Sequence, residues 1–186
     1  METTMSNSRS PSPRRIIVRG TSGCGKTTLA RAISERLGIE HTELDAHHHL
    51  PNWGERPTEE LKQIVEGIVA RESWIIDGNY KVVTSEHVRK ADTIVWLDYS
   101  FLTVLFRLVC RTIRRSITKE ELWHGNRESF RKSFFSRESI LVWMVTTHGR
   151  RKRQCRELRA ELADTDVEFI RFSRPRQADE WLAQLK

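Results

Sequence analysis

The sequence of 186 residues contains little that would stabilise a secreted protein or anchor a membrane protein. Its three cysteines, Cys24, Cys110 and Cys155, lack the spacing of a zinc site or a disulfide framework. No apolar run reaches the roughly 18 residues that cross a bilayer. The first 15 residues also lack the apolar stretch of a signal peptide. These absences predict a protein of the reducing cytoplasm with no membrane partner.

Proline and glycine are also scarce, with 5 and 9 residues, and no internal repeat is visible. Residues 1–14 are rich in Ser, Pro and Arg and predict a disordered tail. The remaining residues, 15–186, are enough for one domain with a sizeable core. The sequence therefore predicts a tail followed by a single domain, and it leaves the oligomeric state open.

The most informative pattern begins with a short apolar segment at residues 16–18, typical of a buried strand. Apolar residues recur at helical spacing from residue 29 to residue 37. Between them lies G-x-x-x-x-G-K-T at residues 20–27, and in this strand-to-helix context the pattern indicates a phosphate-binding loop. The glycines let successive N–H groups surround a phosphate at a helix N-terminus. Lys26 would then reach the β- and γ-phosphates of ATP, and Thr27 would bind Mg²⁺.

We expect the residues of this loop to bind the nucleotide. They are Gly20, Thr21, Ser22, Gly23, Cys24, Gly25, Lys26, Thr27 and Thr28.

Four further apolar segments alternate with helical patterns along the chain, at residues 39–45, 73–77, 92–98 and 167–172. Short apolar strands separated by helices are typical of a mostly parallel sheet covered by helices on both faces. Ligands bind such sheets at the carboxyl edge of the strands. The sequence therefore predicts an α/β fold of three layers, with five strands and its site at that edge.

Three carboxylates follow the predicted strands, at Asp45, Asp77 and Asp98. Each could simply cap a helix, but three around one phosphate loop suit a hydrated Mg²⁺, which keeps several of its waters. We therefore expect Mg²⁺ to be held by Thr27 directly and by Asp77 and Asp98 through water.

The net charge of +7 comes from one region, since residues 107–159 contain 15 Lys and Arg against 5 Asp and Glu. Such a stripe can bind nucleic acid through its phosphates, or its arginines can converge on the phosphates of a small ligand. The run of basic residues at 150–153 is also compatible with a solvated helix face. Nucleic acid is therefore a possible partner, and a small ligand is the favoured one.

The phosphate loop, the strand-end sequence DGNY and the segment LDYSFLTVLFRLVCR together resemble the nucleoside-monophosphate kinases, adenylate kinase in particular. In that group an Asp after the fourth strand is followed, nine and thirteen residues later, by two arginines that contact phosphate and base. The resemblance implies these roles for Arg107 and Arg111, counted from Asp98. It also implies a helical lid at about residues 117–137, in which Arg127 would cover the phosphates, and a turn near Arg174 that would touch adenine.

Longer segments, among them LDAHHHLPNW and ELWHGNRESF, are similar to the bacterial DNA topology modulation proteins, which are described as adenylate-kinase-like. The chain departs from adenylate kinase after its third strand, where Asn79-Tyr80-Lys81 replaces Phe-Pro-Arg, so the usual AMP-contacting arginine is missing.

The resemblance implies a Mg-ATP-dependent phosphotransferase, and three alternatives for its role stay open. A nucleotide or nucleoside-like acceptor is favoured by the whole-chain resemblance. An alcohol acceptor is favoured by Asp45, which stands where shikimate kinase places a carboxylate that contacts the acceptor. A nucleotide-dependent DNA-binding regulator is favoured by the basic stripe. The run of histidines at residues 47–49 and Trp53 could contribute to an acceptor pocket.

Overall fold

The structure is a computed structural model that describes residues 12–80, 85–126 and 140–185. The predicted tail up to residue 11 and the predicted lid arginine Arg127 lie outside these ranges. Among the described helices, none is long and apolar enough to cross a membrane.

The strands of the described residues are β1 (Arg15–Gly20), β2 (His41–Glu43), β3 (His49–Leu50), β4 (Gly54–Glu55), β5 (Trp74–Asp77), β6 (Thr93–Leu97) and β7 (Glu168–Phe172). The helices are α1 (Lys26–Leu37), α2 (Leu44–His48), α3 (Thr58–Val69), α4 (Ser85–Arg89), α5 (Phe101–Thr118), α6 (Ile140–Glu161) and α7 (Pro175–Gln184). Two short 3₁₀ turns span Pro51–Trp53 and Trp123–Gly125.

Five strands form one sheet in the order β2-β5-β1-β6-β7, and every neighbouring pair is parallel. The predicted parallel sheet is thus confirmed, with β1 at its centre. Because parallel strands end at the same edge, the loops that follow β1, β2, β5, β6 and β7 meet there.

The inner strands of the sheet are continuous apolar segments because both of their faces are buried in the core. Ile16, Ile17 and Val18 are completely buried, because helices cover both faces of the sheet. Helices α1, α5 and α7 pack on one face, and α3 and α4 pack on the other. The large side chains of Trp74 and Trp96 are 1% and 2% exposed.

The second strand spans His41–Glu43 and is thus shorter than the predicted segment at residues 39–45. Leu44 is completely buried beside α3, and its packing turns the chain away from the sheet into the short helix α2. Asp45 therefore lies in the first turn of a helix, and His47 and His48 form its last turn. Beyond α2 a small hairpin, β3–β4, is closed by the Pro51–Trp53 turn.

Candidate functional site

A large cleft with a volume of about 1470 Å³ opens at the carboxyl edge of the sheet. Its walls come from the loop after β1, the α2 and β3–β4 region, helix α5, and the start of α7. Ten of the residues that the sequence predicts for the site line this one cleft: Ser22, Gly23, Cys24, Gly25, Lys26, Thr27, Thr28, Asp45, Arg107 and Arg111.

The loop after β1 has the backbone that a phosphate site requires. Gly25 has φ 100°, a conformation that favours glycine, and directly precedes α1. No side chain of the described residues caps this helix, so its first N–H groups are available to an anion. A Cβ on Gly20 would lie 2.6 Å from the Cys24 sulfur, so the loop also packs too tightly there for a larger residue. Lys26 directs its ammonium along the loop, 3.5 Å from the Thr21 carbonyl.

Glu43 is a candidate site residue that the sequence analysis did not identify. Its carboxylate accepts a hydrogen bond from the Thr27 hydroxyl at 3.2 Å and pairs with Arg31 at 3.0 Å. The side chain is only 13% exposed and lines the cleft. The available signal was the alternation in β2, where buried Thr42 places Glu43 on the opposite side from the core.

Helix α5 brings several arginines to the cleft, with Arg107 and Arg111 one turn apart, as predicted. Arg107 donates a hydrogen bond to the Cys24 carbonyl at 3.0 Å, and its guanidinium lies 5.3 Å from the centre of the Tyr99 ring. Burial raises the pKa of Tyr99 to about 12, so this ring stays neutral beneath the cation. Arg107 therefore contacts the phosphate-binding loop at Cys24 and places a positive charge beside it in the cleft.

Asp45 also lines the cleft. The Tyr80 hydroxyl donates to its Oδ1 at 2.6 Å, and burial, followed by the Asp45 charge, raises the pKa of Tyr80 far above its usual range. Tyr80 therefore stays protonated and holds one carboxylate oxygen in place. The other oxygen keeps its acceptor capacity.

Aromatic rings surround this part of the cleft. His49 stacks on Trp123 with ring centres 5.4 Å apart and meets Trp53 edge-on at 5.3 Å. Burial lowers the pKa of His49, which favours its neutral ring. Trp53 is 41% exposed, and its ring face offers an apolar surface to a ligand.

Asn126 ties these two aromatic segments together. Its side-chain oxygen accepts from the Trp53 N–H at 3.0 Å, and its amide nitrogen donates to the Leu50 carbonyl at 2.9 Å. The amide thus mimics a backbone partner for the hairpin turn. Neither Trp123 nor Asn126 was identified as a site residue from the sequence, because only the fold brings them beside a hairpin more than 70 residues away.

The other predicted site residues within the described ranges lie outside the lining of the cleft. Gly20 and Thr21 form the base of the loop, Arg174 directly precedes the lining residue Pro175, and Asp77 and Asp98 are buried. Asp77 Oδ2 contacts His41 Nε2 at 2.9 Å, and its Oδ1 has no hydrogen-bond partner among the described residues.

Asp98, which the sequence predicts beside metal-bound water, forms ion pairs with two cations. Its carboxylate lies 2.6 Å from Arg171 and 2.8 Å from Lys152. The side chain is completely buried, so this pairing offsets the cost of removing its charge from water. The two ion pairs favour a structural role for Asp98, and its water-mediated contact with Mg²⁺ stays a prediction.

We expect Asp98→Ala to lower the free energy of unfolding by about 2 to 4 kcal/mol, because Arg171 and Lys152 would lose their shared partner. ATP binding by the folded variant should stay within about twofold of wild type. Urea denaturation and calorimetric titration with ATP measure the two quantities. Glu180→Gln, which breaks the exposed pair with Arg176, is the matched control and should cost less than about 1 kcal/mol. Loss of ATP binding without loss of stability would restore Asp98 to the metal site.

The chain matches known families and structures as follows. The family described as AAA domain matches residues 16–132, more than half of the chain. No curated protein shows significant similarity to the sequence.

Among solved structures, a gluconokinase from Sinorhizobium meliloti 1021 is 21% identical with a TM-score of 0.50, and the match covers 95% of each chain. A shikimate kinase from Bacteroides thetaiotaomicron is 12% identical with a TM-score of 0.51, and the match covers 94% of this chain and 97% of that one. At these identities the likeness shows the shared α/β fold.

Proposed function

The chain belongs to the AAA domain family, and from this premise we propose that it is a kinase that transfers the γ-phosphate of ATP to a hydroxyl group of a small molecule. The observation that carries the proposal is a single cleft with the phosphate-binding loop in one wall and the tyrosine-held carboxylate of Asp45 in another. The first feature suits a nucleotide, and the second suits an acceptor that loses a proton.

The nucleotide half of the proposal is supported by charge and geometry. Uncapped N–H groups at the start of α1, the Lys26 ammonium and the arginines of α5 all face one region of the cleft. Such donors stabilise the negative charge that spreads over the phosphoryl oxygens during transfer. Pro175 and Ala178 at the start of α7 supply apolar surface in the cleft, beside the turn predicted to contact adenine.

The metal half is supported by the oxygen atoms beside the loop. The Thr27 hydroxyl and the Glu43 carboxylate lie 3.2 Å apart at the edge of the cleft, and a hydroxyl with a carboxylate suits a hard cation such as Mg²⁺. We propose that Thr27 binds the ion and that Glu43 holds its waters, with the partly unsatisfied Asp77 as a further carboxylate nearby. When bound, Mg²⁺ would neutralise charge on the β- and γ-phosphates.

The acceptor half is supported by Asp45. An alcohol oxygen that attacks the γ-phosphorus forms a new O–P bond while the bond to the β,γ-bridging oxygen breaks and ADP leaves. The attacking hydroxyl must release its proton, and the free oxygen of Asp45 can accept it as general base. The neighbouring rings of His49, Trp53 and Trp123 provide surface for the carbon skeleton of the acceptor.

The shared fold with a gluconokinase and a shikimate kinase supports a small alcohol as acceptor. The resemblance to nucleoside-monophosphate kinases, and with it a nucleotide acceptor, stays a prediction. A nucleoside monophosphate brings its own anionic oxygen, so Asp45 would have no proton to accept from it.

A screen of acceptors tests the proposal. Purified protein, Mg-ATP and one candidate at a time are followed by ADP release, with nucleosides, nucleoside monophosphates, sugars, sugar acids and cyclic alcohols in the panel. We expect acceptor-stimulated release with a hydroxylated molecule that lacks phosphate, and mass spectrometry should find the phosphorylated alcohol. Stimulation by nucleoside monophosphates alone would reject the alcohol proposal, and failure to bind ATP would reject the nucleotide half.

We expect Arg107→Ala to slow phosphoryl transfer by roughly 10²-fold or more, because it removes charge at the rim of the loop and the contact with Cys24. The free energy of unfolding should change by about 1 kcal/mol or less, since the side chain is exposed. Steady-state kinetics and urea denaturation give both values. Arg153→Ala, which removes an exposed arginine paired with Glu157, is the control and should change neither. Intact kinetics in Arg107→Ala would show that this arginine only packs against Tyr99.

A further inference from the structure

Helix α6 contacts three of the loops that follow strands at the carboxyl edge. His148 Nδ1 lies 3.4 Å from the Thr21 hydroxyl after β1, and Arg151 donates to the Asn79 carbonyl after β5 at 3.0 Å. Lys152 pairs with Asp98 after β6 at 2.8 Å. One face of a single helix therefore spans the edge on which the proposed site is built.

This arrangement uses part of the basic run at residues 150–153 internally. Arg150 and Arg153 are exposed, whereas Arg151 and Lys152 are partly buried against the strand-end loops. The expectation of a solvated face thus holds for only two of the four residues. The other two have partners within the fold.

Besides its contact with α6, Asn79 forms a hydrogen bond with the phosphate-binding loop. Its amide nitrogen donates to the Gly20 carbonyl at 2.6 Å, and its oxygen lies 3.5 Å from the Gly20 N–H. One side chain therefore faces both polar groups of the residue at which β1 ends and the loop begins. The pairing between β1 and β5 ends at Val18 and Asp77. The Asn79 amide therefore bonds Gly20 on the side where the backbone of β5 no longer reaches it.

His148 holds the next residue of the loop. Its side chain is buried and packs edge-on against Phe101, with ring centres 5.5 Å apart. Burial lowers the pKa of His148, so the ring is neutral at neutral pH and Nδ1 can accept a hydrogen bond from the Thr21 hydroxyl. The Thr21 carbonyl in turn accepts from Lys26, so the restraint on Thr21 extends to the lysine that faces the cleft.

We propose that Asn79 and His148 are positioning residues that hold Gly20 and Thr21 and thereby set the conformation of the phosphate-binding loop, with α6 as their common support. Neither side chain lines the cleft, so both act through the loop. The inference rests on the proposed function in one respect, that the loop binds ATP.

Holding the phosphate-binding loop in one conformation favours catalysis. A cradle of N–H groups stabilises transferring phosphate only if it is held in place before the reaction, and small displacements of such groups are costly. Gly20 has φ 151°, so its own backbone does not select one conformation as a residue with a side chain would. The hydrogen bonds from Asn79 and His148 restrict the loop to one conformation instead.

The first measurement is hydrogen exchange of the backbone amides of residues 20–25 in the protein without ATP. Asn79→Ala should speed exchange in this segment by roughly 5- to 10-fold, the effect expected for the loss of one buried hydrogen bond. His148→Ala should act in the same direction. His148→Asn keeps a polar atom near the position of Nδ1 and should restore most of the protection.

The second measurement is calorimetric titration with ATP, at a temperature at which all variants are folded. Asn79→Ala and His148→Ala should each weaken binding by roughly 5- to 10-fold. Thr21→Val should weaken it similarly, and the double variant with His148→Ala should be no weaker than either single variant, because both remove the same contact. Thr165→Ala, which removes a hydrogen bond to Leu162, is the control: it should lower stability by a similar amount without changing loop exchange or ATP affinity.

Unchanged loop exchange in Asn79→Ala and His148→Ala, with wild-type ATP affinity, would overturn the inference and leave the proposed function intact. Faster loop exchange in a protein whose wild type does not bind ATP would instead support the restraint on the loop and reject the proposed function. Lower stability alone, as in the Thr165 control, would assign both residues a structural role.

Discussion

Lys26→Ala is expected to abolish nearly all phosphoryl transfer, with a fall of at least about 10²- to 10³-fold in kcat/KM, while the fold persists. The ammonium is the one lysine charge that the loop itself brings into the cleft, and its Nζ lies 3.5 Å from the loop carbonyl of Thr21. Without it, the β- and γ-phosphates lose a positive partner whose contribution grows as charge develops on the transferring group. Affinity for ATP should fall as well, because the same charge attracts the bound nucleotide.

The measurement is the ADP-release assay together with calorimetric titration of ATP. Lys62→Ala is the matched control, since it removes an exposed lysine of α3 that pairs with the i+4 residue Glu66. The melting temperatures of the two variants should stay close to that of wild type, because the Lys26 side chain supports no core packing. Wild-type turnover in folded Lys26→Ala would contradict the assignment of the loop.

Asp45→Asn is expected to lower kcat by about 10²- to 10⁴-fold with little change in ATP affinity, if the acceptor is an alcohol. The amide has nearly the same shape as the carboxylate but cannot take the proton. Tyr80 holds Oδ1 at 2.6 Å, so the side chain should stay in position in the variant. Tyr80→Phe should cost less, because it removes the group that orients the base and leaves the base itself.

The split between kcat and KM separates the acceptor classes. A rise in the KM of the acceptor with an unchanged kcat would indicate that Asp45 only positions the acceptor, as it could for a nucleotide. Asp166→Asn changes an exposed aspartate near β7 and serves as the control for altered surface charge. No change in either constant would remove Asp45 from the site.

Parts of the site were predictable because they depend on neighbours in the chain. The glycines, Lys26 and Thr27 occupy a fixed pattern between a strand and a helix, so the loop can be identified from a few neighbouring residues. Arg107 and Arg111 were placed together by helical spacing and by the resemblance to nucleoside-monophosphate kinases. All of these except Gly20, which lies at the base of the loop, line the cleft.

The environments of the carboxylates could not be predicted from neighbouring residues. Three strand-end aspartates look equivalent in the sequence, yet Asp45 lines the cleft, Asp77 contacts His41, and Asp98 is held by Arg171 and Lys152. Arg171 is 73 residues away from Asp98. No local pattern could indicate that this carboxylate already has two cationic partners, or that Glu43 would take the place beside Thr27.

By itself, the sequence determined the parallel α/β sheet, the glycine-rich loop after its first strand and the edge at which the cleft opens, because hydrophobic period, glycine positions and strand ends are local properties. Only the tertiary structure decided which polar groups at that edge remain available to a ligand. Burial and ion pairing depend on partners that are distant in the chain, and they assign Asp98 to the interior, Asp45 and Glu43 to the cleft, and Asn79 to the base of the loop.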